Sequence, residues 1–91
     1  ISIRFHLTAL DRVETEEYIL HRLRIAGVQD GFRLFLGEAI DLIYNRSQGV
    51  PRVINKLCDR ALLAAYARDL RQVDEKMAEE AFQESEEITA R

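Results

Sequence analysis

Gly49-Val50-Pro51-Arg52-Val53-Ile54-Asn55-Lys56-Leu57-Cys58-Asp59-Arg60-Ala61-Leu62-Leu63 is the stretch whose reading decides the fold. Proline at the first position of a helix loses no bond, because that N–H has no partner inside the helix anyway, and glycine just before it supplies the preceding turn. From Pro51 to about Arg68, Ile54, Leu57, Cys58, Ala61, Leu62 and Ala65 recur at helical spacing and form a wide apolar stripe. This is the strongest amphipathic signal in the chain, and it predicts a helix at the centre of a core.

Upstream, Leu36, Ala39, Ile40 and Ile43 fall on one face and predict a helix over 37–46, closed by Ser47, Gln48 and Gly49. Gly37 stands where a small hydroxyl residue would cap that helix, so it is expected to begin loosely. Residues 29–33 read as a loop. Before them, Asp11 and Glu14 have capping-box spacing, and Val13, Ile19, Leu20, Leu23 and Ala26 recur helically. A helix over 13–26 follows, stopped by Gly27, which adopts positive φ freely. Residues 3–10 alternate loosely, with Ile3, Phe5 and Leu7 on one side, and read as a short strand or extended lead-in.

Downstream, Asp74 is placed as an N-cap, Val73 and Ala78 as a hydrophobic staple, and Met77, Ala78, Ala81 and Phe82 as the apolar face of a last helix that frays near Ser85. The fold class expected is all-α: a small four-helix bundle over 11–91, preceded by an extended segment over 1–10.

Ninety-one residues with 47% apolar and 32% charged side chains suffice for one small core and not for two. The chain opens at Ile1, inside the extended segment, and reads as a piece of a longer protein. Net charge is −3, but residues 1–73 carry eleven Lys or Arg against nine Asp or Glu, and residues 74–91 carry two against seven. A +2 body therefore precedes a −5 tail, and nucleic-acid binding would need a local basic patch. No apolar run is long enough to span a bilayer, so no membrane contact is expected of this segment. Cys58 by itself forms no internal disulfide, which fits a reducing, cytoplasmic setting, and its place on the apolar stripe makes it a core thiol.

Most catalytic constellations are absent. No glycine begins a GxxxxGK[ST] phosphate loop, and His6 and His21 lack partners at metal-ligand spacing, so no metal site is expected. Arg52 is the residue that needs an explanation. In the first turn of a helix its charge opposes the helix dipole. Two free N–H groups and a guanidinium there suit an anionic ligand such as a phosphate, whereas the plainer alternative is a solvated arginine or a pair with Glu38 or Asp41. Arg52, Lys56 and Arg60 also form a basic stripe at i, i+4 and i+8. A helix-turn-helix that reads DNA with Arg52 and Asn55 could look like this. A stripe that neutralises the acidic last helix, or merely solvates the surface, is more economical.

The same residues carry a resemblance. Phe5-His6-Leu7 with Leu10, Tyr18 to Leu23, Ala26-Gly27, Leu34-Phe35, Ala39-Ile40 and above all Gly49 to Leu63 resemble a bacterial AAA+ ATPase family. It is the family of general secretion pathway protein A (ExeA-like), with relatives in pilus biogenesis and exosortase-associated export. The resemblance spans about residues 1–82, and it implies that 11–91 are the helical lid that follows an ATPase core, with 1–10 the end of that core.

It further implies that Arg52 is the phosphate-sensing arginine, with Pro51 and Val50 setting the helix start and Gly49 the turn. Asn55 would buttress that site or cap a neighbour, and Tyr18 and Ile19 would line a base pocket or simply pack. ATP with magnesium would be held only in the longer protein, since the phosphate loop is not in this chain, and this chain alone should not hydrolyse ATP. Partners implied are the upstream core, neighbouring subunits of a ring, and proteins of a secretion or export apparatus. Nucleic acid is not among them. The alternative from another class is a non-enzymatic helical module binding DNA or a partner protein.

Overall fold

Asp11 and Glu14 cap each other at the start of the first helix: Glu14 N–H donates to Asp11 Oδ1 at 2.8 Å and Asp11 N–H to Glu14 Oε1 at 2.9 Å. The computed structural model describes residues 9–89, apart from the side chains of Phe32 and of 84–89. Its elements are α1 (Arg12–Ile25), α2 (Gly31–Leu34), α3 (Gly37–Ser47), α4 (Pro51–Ala67) and α5 (Glu75–Thr89). The described residues thus form a small all-α bundle of four long helices and one single-turn helix. The strand expected over 3–10 lies, but for its last two residues, outside the described residues.

α4 is the central helix, packed against α1, α3 and α5, while α5 also lies on α3. Its stripe residues Ile54, Cys58, Ala61 and Ala65 are buried, with Leu57 and Leu62 at the margin. Ala39, Ile40 and Ile43 meet them from α3, and Met77, Ala78, Ala81 and Phe82 from α5. Phe35 and Phe82 are each 1% exposed; burying side chains of this size contributes about 2–3 kcal/mol apiece.

Each helix end has a local cause. α1 ends in a Schellman motif, with Gly27 at φ +97°, its N–H on Arg24 O, and Val28 N–H on Leu23 O. α4 ends in the same way, but with Asp69 in the left-handed position at φ +57°. Asp69 N–H donates to Tyr66 O and Leu70 N–H to Ala65 O. Asp74 Oδ1 accepts Met77 N–H at 2.8 Å to start α5, and the staple residues Val73 and Ala78 are both fully buried.

Four sequence expectations change. The stretch 29–33 holds the start of α2 rather than a plain loop, with Gly31 seated so closely on α1 that an added Cβ would lie 2.8 Å from Leu23 Cδ1. α3 has no side-chain cap, yet it is anchored: Leu36 N–H donates to Val73 O and Val73 N–H to Leu34 O, around a parallel bridge between Phe35 and Val73. Val13 and Ala26, expected on the apolar face of α1, are exposed, Val13 to 65%. α5 runs on to Thr89, because the glutamate-rich stretch after Ser85 contains neither Gly nor Pro to stop it.

Among the described side chains of the acidic last helix, Glu79 and Glu80 meet cations that lie outside the basic stripe. Arg46, at the end of α3, pairs with Glu79 and lies over the Phe82 ring, 6.0 Å from its centroid. Arg68 donates to Glu80 at 2.7 Å. Both of these α5 carboxylates are therefore paired by arginines outside the stripe.

Candidate functional site: the α3–α4 turn and the start of α4

α3 is stopped by two consecutive residues of positive φ, Gln48 at +55° and Gly49 at +78°. Ser47 holds the turn from beneath: its buried hydroxyl accepts Gly49 N–H at 3.1 Å and its carbonyl accepts Val50 N–H at 3.1 Å. Val50 is the N-cap of α4, and its carbonyl takes Val53 N–H and Ile54 N–H at 3.0 and 2.9 Å. Pro51 follows as the first helical residue. The direction of Arg52 is thus set by a turn built almost wholly from backbone bonds.

Arg52 is exposed, and among the described residues it forms no ion pair or side-chain hydrogen bond. Of the two carboxylates that could have engaged it, Asp41 is instead bound by Arg12, whose guanidinium also reaches Glu16 at 2.9 Å and Gly37 O at 3.4 Å. Those bonds hold α1 to the start of α3. Burial alone would lower the Arg12 pKa, but the bonds to Asp41 and Glu16 outweigh it and raise the pKa above the ordinary arginine value. At the start of α4 one free N–H remains rather than the expected two. Pro51 has none and Val53 is taken by Val50, which leaves Arg52 N–H and its guanidinium as donors without a protein acceptor among the described residues. Fixed donors at a positive helix end attract an anion.

Asn55, one turn on, faces α1. Its Oδ1 accepts the Tyr18 hydroxyl at 2.8 Å and a nitrogen of the Arg22 guanidinium. The side-chain oxygen proposed as a DNA contact is therefore engaged inside the domain. Nothing in the sequence marks this junction, because its three residues come from two helices brought together only by packing.

Beside the junction a cleft of about 110 Å³ separates α1 from α4, walled by Tyr18, Ile19, Arg22, Ile54, Cys58 and Leu62. Sites that enclose a whole small molecule measure roughly 300–1,000 Å³. This cleft can take one edge of a ligand at most. Ile19 is 2% exposed and sits in the core, whereas Tyr18 is half-buried with its hydroxyl at the Asn55 junction. Cys58 is 7% exposed. Burial pushes its thiol up to about 12, with Asp59 adding to the rise and Arg22 opposing it, so it stays protonated and unreactive at neutral pH.

His21 is half-buried on α1, and His6 lies outside the described residues. Among the described residues no group of three or more His, Cys, Asp or Glu could hold a metal, and no helix is long and apolar enough to cross a membrane.

No protein-family model matches the chain, and no solved structure matches it significantly. Over 68 residues, 75% of its length, the chain is 40% identical to General secretion pathway protein A of Aeromonas hydrophila. The match spans 12% of that relative, so the chain corresponds to a small part of it. Identity at this level over three quarters of the chain supports the resemblance to the general secretion pathway protein A family.

Proposed function

We propose that the chain is the helical lid of a AAA+ ATPase of the general secretion pathway protein A kind, in which Arg52 reads the γ-phosphate of bound ATP. The observation that carries this reading is the state of Arg52 itself. It is an exposed guanidinium, without an acceptor among the described residues, at the positive end of the central helix and on a turn of fixed geometry. An arginine held this way gains nothing inside the domain and matches the forked geometry of a phosphate.

In this reading ATP and magnesium are held by a core upstream in a longer chain, which supplies the phosphate loop. The lid contributes Arg52, positioned by Gly49, Val50 and Pro51 and buttressed by Asn55. Tyr18 and Ile19 act mainly in packing, with Tyr18 holding Asn55. The contact of Arg52 with the γ-phosphate is present before hydrolysis and weakened after it, so the lid angle follows nucleotide state. The name of the relative supports a place in protein secretion. The partners proposed are the core, neighbouring subunits of a ring and proteins of the secretion apparatus, on the cytoplasmic side of the membrane. Engagement of Asn55 by Tyr18 and Arg22 argues against DNA, since it removes one of two candidate base readers.

In the longer protein, Arg52→Ala should lower ATP turnover at least tenfold, equivalent to about 1.4 kcal/mol of transition-state stabilisation, with folding intact. Near-normal turnover would refute the sensor role. An upstream reading frame without GxxxxGK[ST] would sink the ATPase reading altogether.

A further inference from the structure

The residue that leads into α1 is locked to the turn that starts α4. Leu10 N–H donates to Gly49 O at 2.8 Å, and the Leu10 side chain is 4% exposed. The two backbones touch without any intervening side chain: a Cβ on Gly49 would lie 1.9 Å from Leu10 O, and 2.8 and 2.9 Å from Leu10 N and C. Gly49 is also the midpoint of the tightest bonding in the turn. Its own N–H is held by Ser47 Oγ, and the carbonyl of Val50, next along, carries the amides of Val53 and Ile54.

We propose that the Leu10–Gly49 contact is a rigid coupler, which makes the segment leading into α1 and the first turn of α4 move as one body. Side-chain contacts yield by rotamer changes of small cost, whereas backbone packed on backbone has no such freedom. Only Val50 and Pro51, both part of the fixed turn, then separate Gly49 from Arg52, so a tilt of the incoming segment is delivered to the arginine. α5 stands apart from this path. It is fastened through the Val73 bridge and through its packing on α3 and α4. The use of the coupler in nucleotide sensing rests on the reading of Arg52 given above, but the coupling itself does not.

Amide hydrogen exchange of the 91-residue chain tests it, under conditions where exchange reports local opening equilibria. In Gly49→Ala the Leu10 amide should exchange at least tenfold faster, and Val53 and Ile54, which donate to Val50 O, at least threefold faster. Ala78, which donates to Asp74 O in α5, should keep its original rate. Leu10→Ala leaves the glycine and both backbones in place but removes the buried side chain that seats Leu10 in the core, so the segment is freed from the other side. It should produce the same pattern, and it carries the test if Gly49→Ala does not fold. The proposal is overturned if Leu10 is freed while Val53 and Ile54 keep their rates, or if Ala78 accelerates by the same factor as they do. No nucleotide enters this measurement, so normal ATP turnover in Arg52→Ala would remove the sensor reading and leave the coupler standing.

Discussion

Replacing Arg52 with alanine should make the domain slightly more stable. The side chain occupies the second position of α4, is exposed, and has no acceptor among the described residues, so its removal breaks no bond. What is removed is a cation at the positive end of a 17-residue helix. Such a charge costs about 0.3–1 kcal/mol at a helix N-terminus, and alanine is also the better helix former by about 0.2 kcal/mol. The expected gain is therefore about 0.5 kcal/mol, and about 1 kcal/mol for Arg52→Glu, which places a favourable charge at the same point.

In a domain of this size 1 kcal/mol moves the Tm by about 4–8 °C, so the alanine variant should melt about 2–4 °C higher. Urea unfolding followed by circular dichroism, at low and at high salt, measures both the gain and its origin. A dipole effect shrinks with salt, because an exposed charge is screened. A loss of about 1 kcal/mol or more in Arg52→Ala would refute the reasoning, since it would mean that the guanidinium is bonded within the domain. A residue without which the domain would be more stable has its use outside the domain, which is why this measurement bears on function.

Three further outcomes are expected. Asn55→Ala should cost about 1–2 kcal/mol, and its cycle with Tyr18→Phe should show coupling of about 1 kcal/mol; simple additivity would mean that the hydroxyl bond contributes nothing. Asp69→Gly should stabilise by about 0.5–1 kcal/mol, because glycine occupies the left-handed position without a Cβ clash; an unchanged or lower urea midpoint would contradict this. The Cys58 thiol, raised to about 12 in the fold from an ordinary 9.0, gives a pH dependence of definite sign. Below pH 9 the thiol is protonated in both states and the stability is fully present. As pH rises from 9 towards 12 the unfolded chain ionises and the folded one does not, so stability falls, by about 1 kcal/mol one unit above 9. Cys58→Ala should lack that component, and parallel pH curves for the two proteins would refute it.

Local chemistry was legible in the sequence wherever one segment carried the whole signal. The capping box at Asp11, the Schellman glycine at 27, Pro51 at the start of α4 and the Asp74 cap all appear where their spacing placed them. The apolar stripes were equally readable: Ile54, Cys58, Ala61 and Ala65 on α4, and Met77, Ala78, Ala81 and Phe82 on α5. Periodicity failed only at helix ends. Val13 and Ala26 have the spacing of core residues, but in the first turn and at the C-cap of α1 they face solvent. For the candidate site, the turn at Gly49 and the awkward cation at Arg52 were visible in sequence, because both are departures from local preference.

The sequence by itself determined that this chain is a small helical bundle centred on 51–67, since capping, turn chemistry and helical periodicity act within a few residues of one another. Tertiary structure alone decided which carboxylates are occupied and which cations are left over. Arg12 reaches across 29 residues to take Asp41, and Arg46 reaches across 33 to take Glu79. Arg52 is thereby left without Asp41, one of its two sequence candidates, as a partner. Tertiary structure likewise set Gly31 against the Leu23 side chain, joined Asn55 to Tyr18 and Arg22, and set Leu10 on Gly49. Pairing of this kind depends on the angles and registers at which helices meet, and those are fixed by the packing of the whole core, which no local window of sequence contains.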